Sequence, residues 1–540
     1  MISKILPFLF LLPLIAEERP NLIFILTDDH NRADLGCYGN PIVQTPHLDQ
    51  MAAEGVLFEK ASVTSAICTP SRVCYFLGQY ERKHGINFNS GTALSQAAWA
   101  KSYPVLLREN GYFTGYVGKN HVPIGARGYD TGLMEASFDF WYAAHGHLRF
   151  YPKKGHRLFR HAKHDTQVEV IQEGVHEFLA GKESSYLSGA ERFLSTRPQD
   201  QPFCLSICLN VPHGSSTSTM QLLPTDDDLY RTAYREGMEK MPLPPHYLAK
   251  SAISQPKLPA DLLHTAFRQE SYSWVDTPAT VRERRVRHFQ TITGVDRMVG
   301  QLRQQLDELG ESDNTIIIFT SDHGLFNGEQ GLGGKALNYE QCLAVPLIVF
   351  DPHLPREQRG QRRQELVQSI DLAPTLLDLG GKEIPAAMQG TSFLPLLRNE
   401  EIPWRQYAFA ENLWSTYFGN PRIESVRSQR WKYIRYFANP RSQWQELEGV
   451  QGVRLYQVSP QQRERYQQWR TASIAGEEPV YEELYDLEAD PHEVRNLATQ
   501  PEHAPTLALL RAQCQEAVTA AYGASEHPAV VPLPPGTNAK

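Results

Sequence analysis

Three short runs constrain this chain most: NLIFILTDDH from Asn21, PFCLSICLNVPH from Pro202 and NTIIIFTSDHG from Asn314. Each is a nearly continuous apolar stretch rich in β-branched residues, the pattern of a strand buried on both faces. Each also stops abruptly in polar residues: Asp28 and Asp29, His213, and Asp322 with His323. Between them lie helical segments such as TPHLDQMAAEGVLFEKA and TITGVDRMVGQLRQQLDEL, where Val295, Met298, Val299, Leu302 and Leu306 recur at helical spacing. Strands alternating with helices predict an α/β fold, with helices on both faces of a sheet. In such sheets ligands collect beyond the C-terminal ends of the strands, where these polar residues fall.

After TSFLPLLRNEEIPW the pattern changes. ESVRSQRWKYIRYF and ELYDLEADPHEVRNLA read as strands followed by an Asp-Pro turn, and PTLALLRAQCQEAVTAA as a helix. The expected organisation is therefore a large α/β domain over 17–400 and a smaller α+β domain with a small antiparallel sheet over 401–540. Residues 143–200 and 214–280 lack clear periodicity and read as long insertions around the site.

Residues 1–16 have the form of a signal peptide: Lys4 precedes an apolar run from Ile5 to Ile15 that is too short to span a bilayer, so no stable membrane span is expected. The chain contains no Asn-x-Ser/Thr sequon. Together these features point to export into a bacterial periplasm or beyond the cell. A net charge of -8 gives no reason to expect nucleic acid as a partner. The 7 cysteines form neither a zinc pattern nor a dense disulfide framework, and alternation puts Cys204 and Cys208 on one face of a buried strand as packing residues.

The chemistry-bearing residues gather around those strand ends. Asp28 and Asp29 repel each other and Asp322 unless a cation lies between them. Lys119 and His121 end the segment GYFTGYVGKNH, Lys335 follows the glycine-rich GLGG, and Arg72 belongs to ICTPSRVCYFLG, which begins at Ile67. Taken singly, each has a plain alternative as a cap, a turn or a solvated charge. Taken together, the acids suit a divalent cation, and the lysines, arginine and histidines suit a tetrahedral oxyanion held against it. Phosphate and sulfate esters both fit.

The segment Cys68-Thr69-Pro70-Ser71-Arg72, with Gly78 ten residues after the cysteine, resembles the first signature of the Cys-type sulfatases, C-x-P-S-R followed by Leu-Thr-Gly; here Phe76-Leu77-Gly78 stands at its end. Gly111 to His121 resembles the second signature, and the likeness runs from Asn21 to LYDLEADPHEVRNLA. The resemblance implies an alkaline phosphatase-like fold, a large mixed and mostly parallel sheet between helices. It also implies a sulfuric ester hydrolase in which a maturation enzyme converts Cys68 to Cα-formylglycine. By the same resemblance Asp28, Asp29, Asp322, His323 and the modified Cys68 hold one calcium ion, and His323 replaces the Asn of many relatives with a softer ligand. Arg72 holds the formylglycine hydroxyl, Lys119 and Lys335 hold the sulfate oxygens, His213 serves as general acid and His121 assists deprotonation of the second hydroxyl.

Three other readings compete. A thiolate phosphatase needs Cys-x5-Arg, but the position six after Cys68 is Cys74 and Arg72 comes too early. A phosphodiesterase or phosphonate monoester hydrolase of the same fold uses the same modified residue. A sulfated-glycan-binding protein would carry Cys68 unmatured. The expected substrate is a sulfated carbohydrate. The stretch from Arg149 to Lys163, with Lys153, Lys154, Arg157 and Arg160 interleaved by Phe150, Tyr151 and Phe159, is a candidate wall for it, with rings stacking on sugars. VRERRVRHF from Val281 reads as a charged helix surface.

Overall fold

The computed structural model describes residues 19–87, 90–155, 159, 161–162, 165–172, 175–176, 189–213, 224, 227–259, 261–263, 270–413, 420–438, 460–524 and 526–533. The expected signal peptide lies outside these residues, as do Arg157, Arg160 and Lys163 of the basic stretch.

Eight strands form the main sheet: β1 (Asn21–Asp28), β2 (Val56–Phe58), β3 (Phe113–Asn120), β4 (Phe140–His145), β5 (Phe203–Pro212), β6 (Thr315–Ser321), β7 (Leu347–Phe350) and β8 (Gln361–Arg363). Their order is β8-β2-β7-β6-β1-β5-β3-β4. The strands from β6 through β1, β5 and β3 to β4 run parallel; β7 is antiparallel to both its neighbours, β6 and β2, and β8 is parallel to β2. The sheet is thus mixed and mostly parallel. All residues of β1, β5 and β6 are buried, which explains why their sequences do not alternate. The cysteine pair on β5 is buried on one face, in the same core as Leu22, Phe24 and Leu26.

Helix α1 (Pro46–Glu54) and helix α2 (Cys68–Leu77) flank the sheet with the long α3 (Pro278–Leu309). The stretch from Thr45 to Ala61 is helical only as far as Glu54. At Gly55 a Cβ would stand 2.1 Å from the carbonyl oxygen of Val349, so the backbones meet there and the chain turns into β2. In α3 the apolar positions Val295, Met298, Val299, Leu302 and Leu306 are buried as their spacing predicts. The helix begins well before them, and in its first turns Arg284 and His288 are buried, so VRERRVRHF is not a solvated surface. The aromatic residues of the basic stretch also go inward: Phe150, Tyr151 and Phe159 join the core beneath α3 and form no wall of exposed rings.

A second, four-stranded antiparallel sheet follows, with β9 (Ala408–Asn412), β10 (Ile423–Arg427), β11 (Trp431–Tyr436) and β12 (Tyr481–Asp486), covered by α4 (Ala504–Tyr522). It is joined to the main sheet by buried polar groups. Arg82 pairs with Glu411 at 2.5 Å and with Glu424 at 2.6 Å. Asn420 donates to the carbonyls of Ala336 (2.7 Å) and Lys335 (3.1 Å), and Asn412 donates to Ala336 O at 3.2 Å. The small sheet therefore holds the loop that carries Lys335.

Gly118 shows how closely the strand ends are packed. Its φ of 103° is a left-handed value, and an added Cβ would stand 2.2 Å from the carbonyl oxygen of Cys208 on β5. Gly118→Ala is expected to lower stability in denaturant titration by about 1–3 kcal/mol through overpacking next to Lys119; an unchanged midpoint would show that β3 and β5 can separate there freely.

Candidate functional site

Parallel pairing places the site. Thr27 of β1 lies opposite Ser321 of β6, so Asp28 and Asp29 leave their strand beside Asp322 and His323. On the other side Asp28 pairs with Pro212 of β5 across a register shift, which brings His213 alongside. The end of β3 adds Lys119 and His121 one strand further on. Asp29 has a φ of 61°, unusual for a residue with a side chain, and its backbone N–H faces Asp322 Oδ1 at 3.4 Å.

The first residue of α2 is Cys68, buried at 1% exposure. Its Sγ is 3.1 Å from Lys335 Nζ, 3.4 Å from His323 Nε2 and 3.7 Å from Asp28 Oδ1. One turn along the helix, Arg72 Nε donates to Asp322 Oδ2 at 2.9 Å and Nη2 to the Leu209 carbonyl at 3.0 Å, with Asp28 Oδ2 at 3.5 Å. Ser71 Oγ donates to Asp322 O at 2.6 Å. The helix thus locks its own N-terminus to the end of β6. Lys119 pairs with Asp28, and Lys335 pairs with Asp29 at 3.0 Å. His323 Nδ1 is 3.3 Å from Asp29 Oδ1, and His213 Nε2 is 3.7 Å from Asp29 Oδ2. Cys68, His121 and His147 place ligand atoms within 4.8 Å of one another, so all ten residues expected at the site converge.

Burial and charge set the protonation states. Burial pushes the carboxyls of Asp28 and Asp29 up, but the surrounding cations more than offset it, Lys119 and Arg72 at Asp28, Lys335 and His323 at Asp29, and both end below their usual range. Asp322 is pushed up to about 6 by burial and by Asp28, with His323 and Arg72 opposing. Burial works to lower His323, yet Asp322 carries it to about 9. Burial lowers His213 to about 3, and Lys335 adds to that fall while Asp29 and Asp28 resist it. Burial and Asp28 raise the thiol of Cys68, but Lys119, Lys335 and the hydrogen bond from His323 bring it down to about 6. Cys74 is different: it is buried, its Sγ is 3.4 Å from His84 Nε2, and desolvation keeps its thiol protonated.

The residues fit a divalent cation. Asp28, Asp322, His323 and Cys68 place ligand atoms within 4.8 Å of one another, and Asp29 Oδ2 is buried with no hydrogen-bond partner among the described residues. Three buried carboxylates also face three buried cations, Arg72, Lys119 and Lys335. A balanced set of this kind accommodates a further divalent cation on the acids and a doubly charged oxyanion on the bases without net charge burial.

A family model described as Sulfatase matches residues 20–382, and one described as N-sulphoglucosamine sulphohydrolase, C-terminal, matches residues 328–451. The chain belongs to the sulfatase family. It is an enzyme that hydrolyses sulfuric esters. This sulfatase is 26% identical to the N-acetylglucosamine-6-O-sulfatase of Bacteroides thetaiotaomicron, over 90% of this chain and 84% of that one. It is also 26% identical to human N-sulphoglucosamine sulphohydrolase, over 92% and 90% of the two chains. A solved structure of a relative in complex with its substrate D-glucosamine-2-N,6-O-disulfate superposes with a TM-score of 0.63 at 22% identity, covering 94% of this chain and 99% of the other. The phosphonate monoester hydrolase of Agrobacterium radiobacter also scores 0.63, at 21% identity over 93% and 96%. Both confirm the alkaline phosphatase-like fold of the sulfatase.

Sequence reading missed residues that border this centre. His147 follows β4, its ring 4.6 Å from that of His121 and 5.0 Å from that of His213, so it bridges the two. The signal was present, since FWYAAHGH from Phe140 is one more apolar strand ending in polar residues. Tyr272 shares a small core with Ile67, Leu325 and Ala336, where Ile67 and Ala336 adjoin Cys68 and Lys335 in the chain, and Trp274 packs against that core, both from a segment whose sequence shows no period.

Removing Arg72 tests the charge balance in this sulfatase. Arg72→Met is expected to cost about 3–5 kcal/mol of unfolding free energy, the penalty for stranding a buried acid. Adding Asp322→Asn in the same chain should recover part of that loss in a double-mutant cycle; strict additivity would mean that the two side chains are not coupled.

Proposed function

We propose that this sulfatase removes sulfate from a sugar and that its nucleophile is Cα-formylglycine made from Cys68 by a maturation enzyme. What supports this most is that Cys68 Sγ touches both halves of the site, Lys335 at 3.1 Å on the cationic side and Asp28 at 3.7 Å on the acidic side. A group on residue 68 would therefore lie between a cation held by the acids and an oxyanion held by the lysines. The sulfated-sugar substrate is suggested by the relatives, which are named for N-acetylglucosamine-6-O-sulfate and N-sulphoglucosamine.

Formylglycine supplies an aldehyde whose hydrate offers one hydroxyl to attack sulfur and a second whose deprotonation releases sulfate. Arg72, pinned by Asp322 and the Leu209 carbonyl, holds the attacking hydroxyl in place. Lys119 and Lys335 take the sulfate oxygens and stabilise the charge that develops on them. His213 gives its proton to the leaving sugar oxygen. It is neutral in the resting site, and an anionic ester beside it favours the imidazolium that this role needs. His121, held neutral chiefly by burial, accepts the proton of the second hydroxyl. Each such transfer is worth roughly 10²–10⁴-fold in rate.

Asp28, Asp29, Asp322, His323 and residue 68 would hold the cation, which neutralises the acids and orients the oxyanion. Carboxylate oxygens suit calcium, and His323 adds a softer donor. The enzyme is also proposed to act outside the cytoplasm, on the strength of the leading segment 1–16. Among the described residues no helix is long and apolar enough to cross a membrane.

The maturation step has a direct readout. The peptide carrying Cys68 is expected to lose about 18 Da, since oxygen replaces sulfur and two hydrogens leave, where ordinary thiol oxidation adds mass. Cys68→Ala should abolish turnover with the fold intact, and a peptide of unchanged mass in a fully active enzyme would refute the nucleophile. On a sulfate and a phosphate monoester of one phenol, the sulfate should be the faster; a dominant phosphate rate would favour the phosphonate-hydrolase chemistry of the structural neighbour. Calcium at a hundred times its Kd should stabilise the chelator-treated protein by about 2.7 kcal/mol. Asp29→Asn should shrink that shift, and no shift with calcium would rule that ion out.

A further inference from the structure

Arg284 is 3% exposed, yet Nε, Nη1 and Nη2 all lack a hydrogen-bond partner among the described residues. The other buried arginines of this enzyme behave differently: Arg72 is bonded to Asp322 and Arg82 to Glu411 and Glu424. Of its neighbours on α3, Arg282 donates to the Met241 carbonyl at 2.9 Å and Arg287 pairs with Glu283 at 2.7 Å, while the half-buried Arg285 has only its Nε buried without a partner among the described residues. A guanidinium has five donors, and burying it with none engaged costs several kcal/mol. Burial accordingly drags Arg284 down to about 9, although Asp29 and Tyr272 act to hold its proton.

The position of Arg284 explains what such a cost could serve. Its guanidinium lies 4.1 Å over the ring of Trp274, which is half-buried. The Trp274 ring stands 6.3 Å from that of Tyr272, and Tyr272 packs on Ile67 and Ala336 beside Cys68 and Lys335. Arg284 is therefore linked to the reacting centre through two aromatic rings, and it is near enough for Asp29 and Tyr272 to act on its charge. Stacking on Trp274 fixes the planar fork, so its ordering is complete before a ligand arrives.

We propose that Arg284, on its Trp274 platform, binds a second anionic group of the substrate, a sulfate or a carboxylate, while the scissile sulfate sits on Lys119 and Lys335. The inference rests on the sulfated-sugar reading above and narrows it to polyanionic sugars. An incoming oxyanion would satisfy the open donors in bidentate fashion, the geometry for which arginine is suited. A neutral sugar bearing one sulfate leaves them unmet.

The test uses the matured enzyme and defined glucosamine and uronate sulfates, each with and without a second sulfate or a linked uronate. Wild type is expected to favour the doubly anionic member of the best pair by at least tenfold in kcat/KM. In Arg284→Met that preference should collapse to within about twofold, mostly through KM, with Arg284→Lys intermediate. The arm that loses most identifies sulfate or carboxylate as the group bound. Because an unpaired buried charge has been removed, the melting temperature of Arg284→Met should equal or exceed that of wild type. A lowered melting temperature with equal losses on both members of a pair would make Arg284 a structural residue and overturn the proposal, as would a wild type indifferent to the second anion. Failure of wild type to desulfate any sugar, while an aryl sulfate is cut, would instead refute the sulfated-sugar reading on which the subsite depends.

Discussion

The mutual neutralisation of three buried acids and three buried cations is the constraint around which the catalytic end of the sheet is built. Asp28 with Lys119, Asp29 with Lys335 and Asp322 with Arg72 come from five different places in the chain, Asp28 and Asp29 sharing one strand end. None of these charges is tolerable alone at such depth, because desolvation of one ion costs several kcal/mol. Each pair is therefore also a tertiary clamp. Arg72 ties α2 to β6 and β5, Lys119 ties β3 to β1, and Lys335 ties a loop held by the small sheet back to β1. A site assembled in this way cannot loosen at one residue without exposing an unpaired charge at another.

That clamp depends on strand geometry. Five adjacent strands run parallel, so four C-terminal ends, those of β1, β6, β5 and β3, deliver polar residues to one edge. Glycines permit the close approach. Gly118 leaves room for the Cys208 carbonyl, and an added Cβ at Gly324 would stand 2.2 Å from the carbonyl of Gln341. The glycines of GYVGKNH and SDHG are thus steric requirements of the same edge that carries the chemistry. Phe76, which departs from the family signature, has a packing reason as well: it stacks on Tyr103 at 5.2 Å and packs against Trp99 and Tyr116.

Arg284 stands outside this economy of paired charges. It is buried like Arg72 but forms no ion pair among the described residues, and it lies over the ring of Trp274 instead. An enzyme that recognises polyanions has reason to keep such a group, since a resident carboxylate would have to be displaced by every substrate.

What was legible from sequence follows from the range of the forces involved. The strands, the long helix and the polar strand ends could be read because burial on both faces and helical spacing leave a local imprint on residue order. The ten site residues could be assembled because two short signatures and three strand ends carry most of them. His147 had the same imprint and went unread. The segment Glu270–Asp276 had none, so the place of Tyr272 and Trp274 beside the centre came only with the fold. The inward turn of Phe150, Tyr151 and Phe159 and the burial of Arg284 were decided by which neighbours cover them, chiefly α3 and the rings before it. Sequence alone fixed the chemistry, because the reacting groups are constrained in type and spacing. Tertiary structure alone decided which charges are paired and that Arg284 is not, among the described residues, because pairing is a matter of distance between segments far apart in the chain.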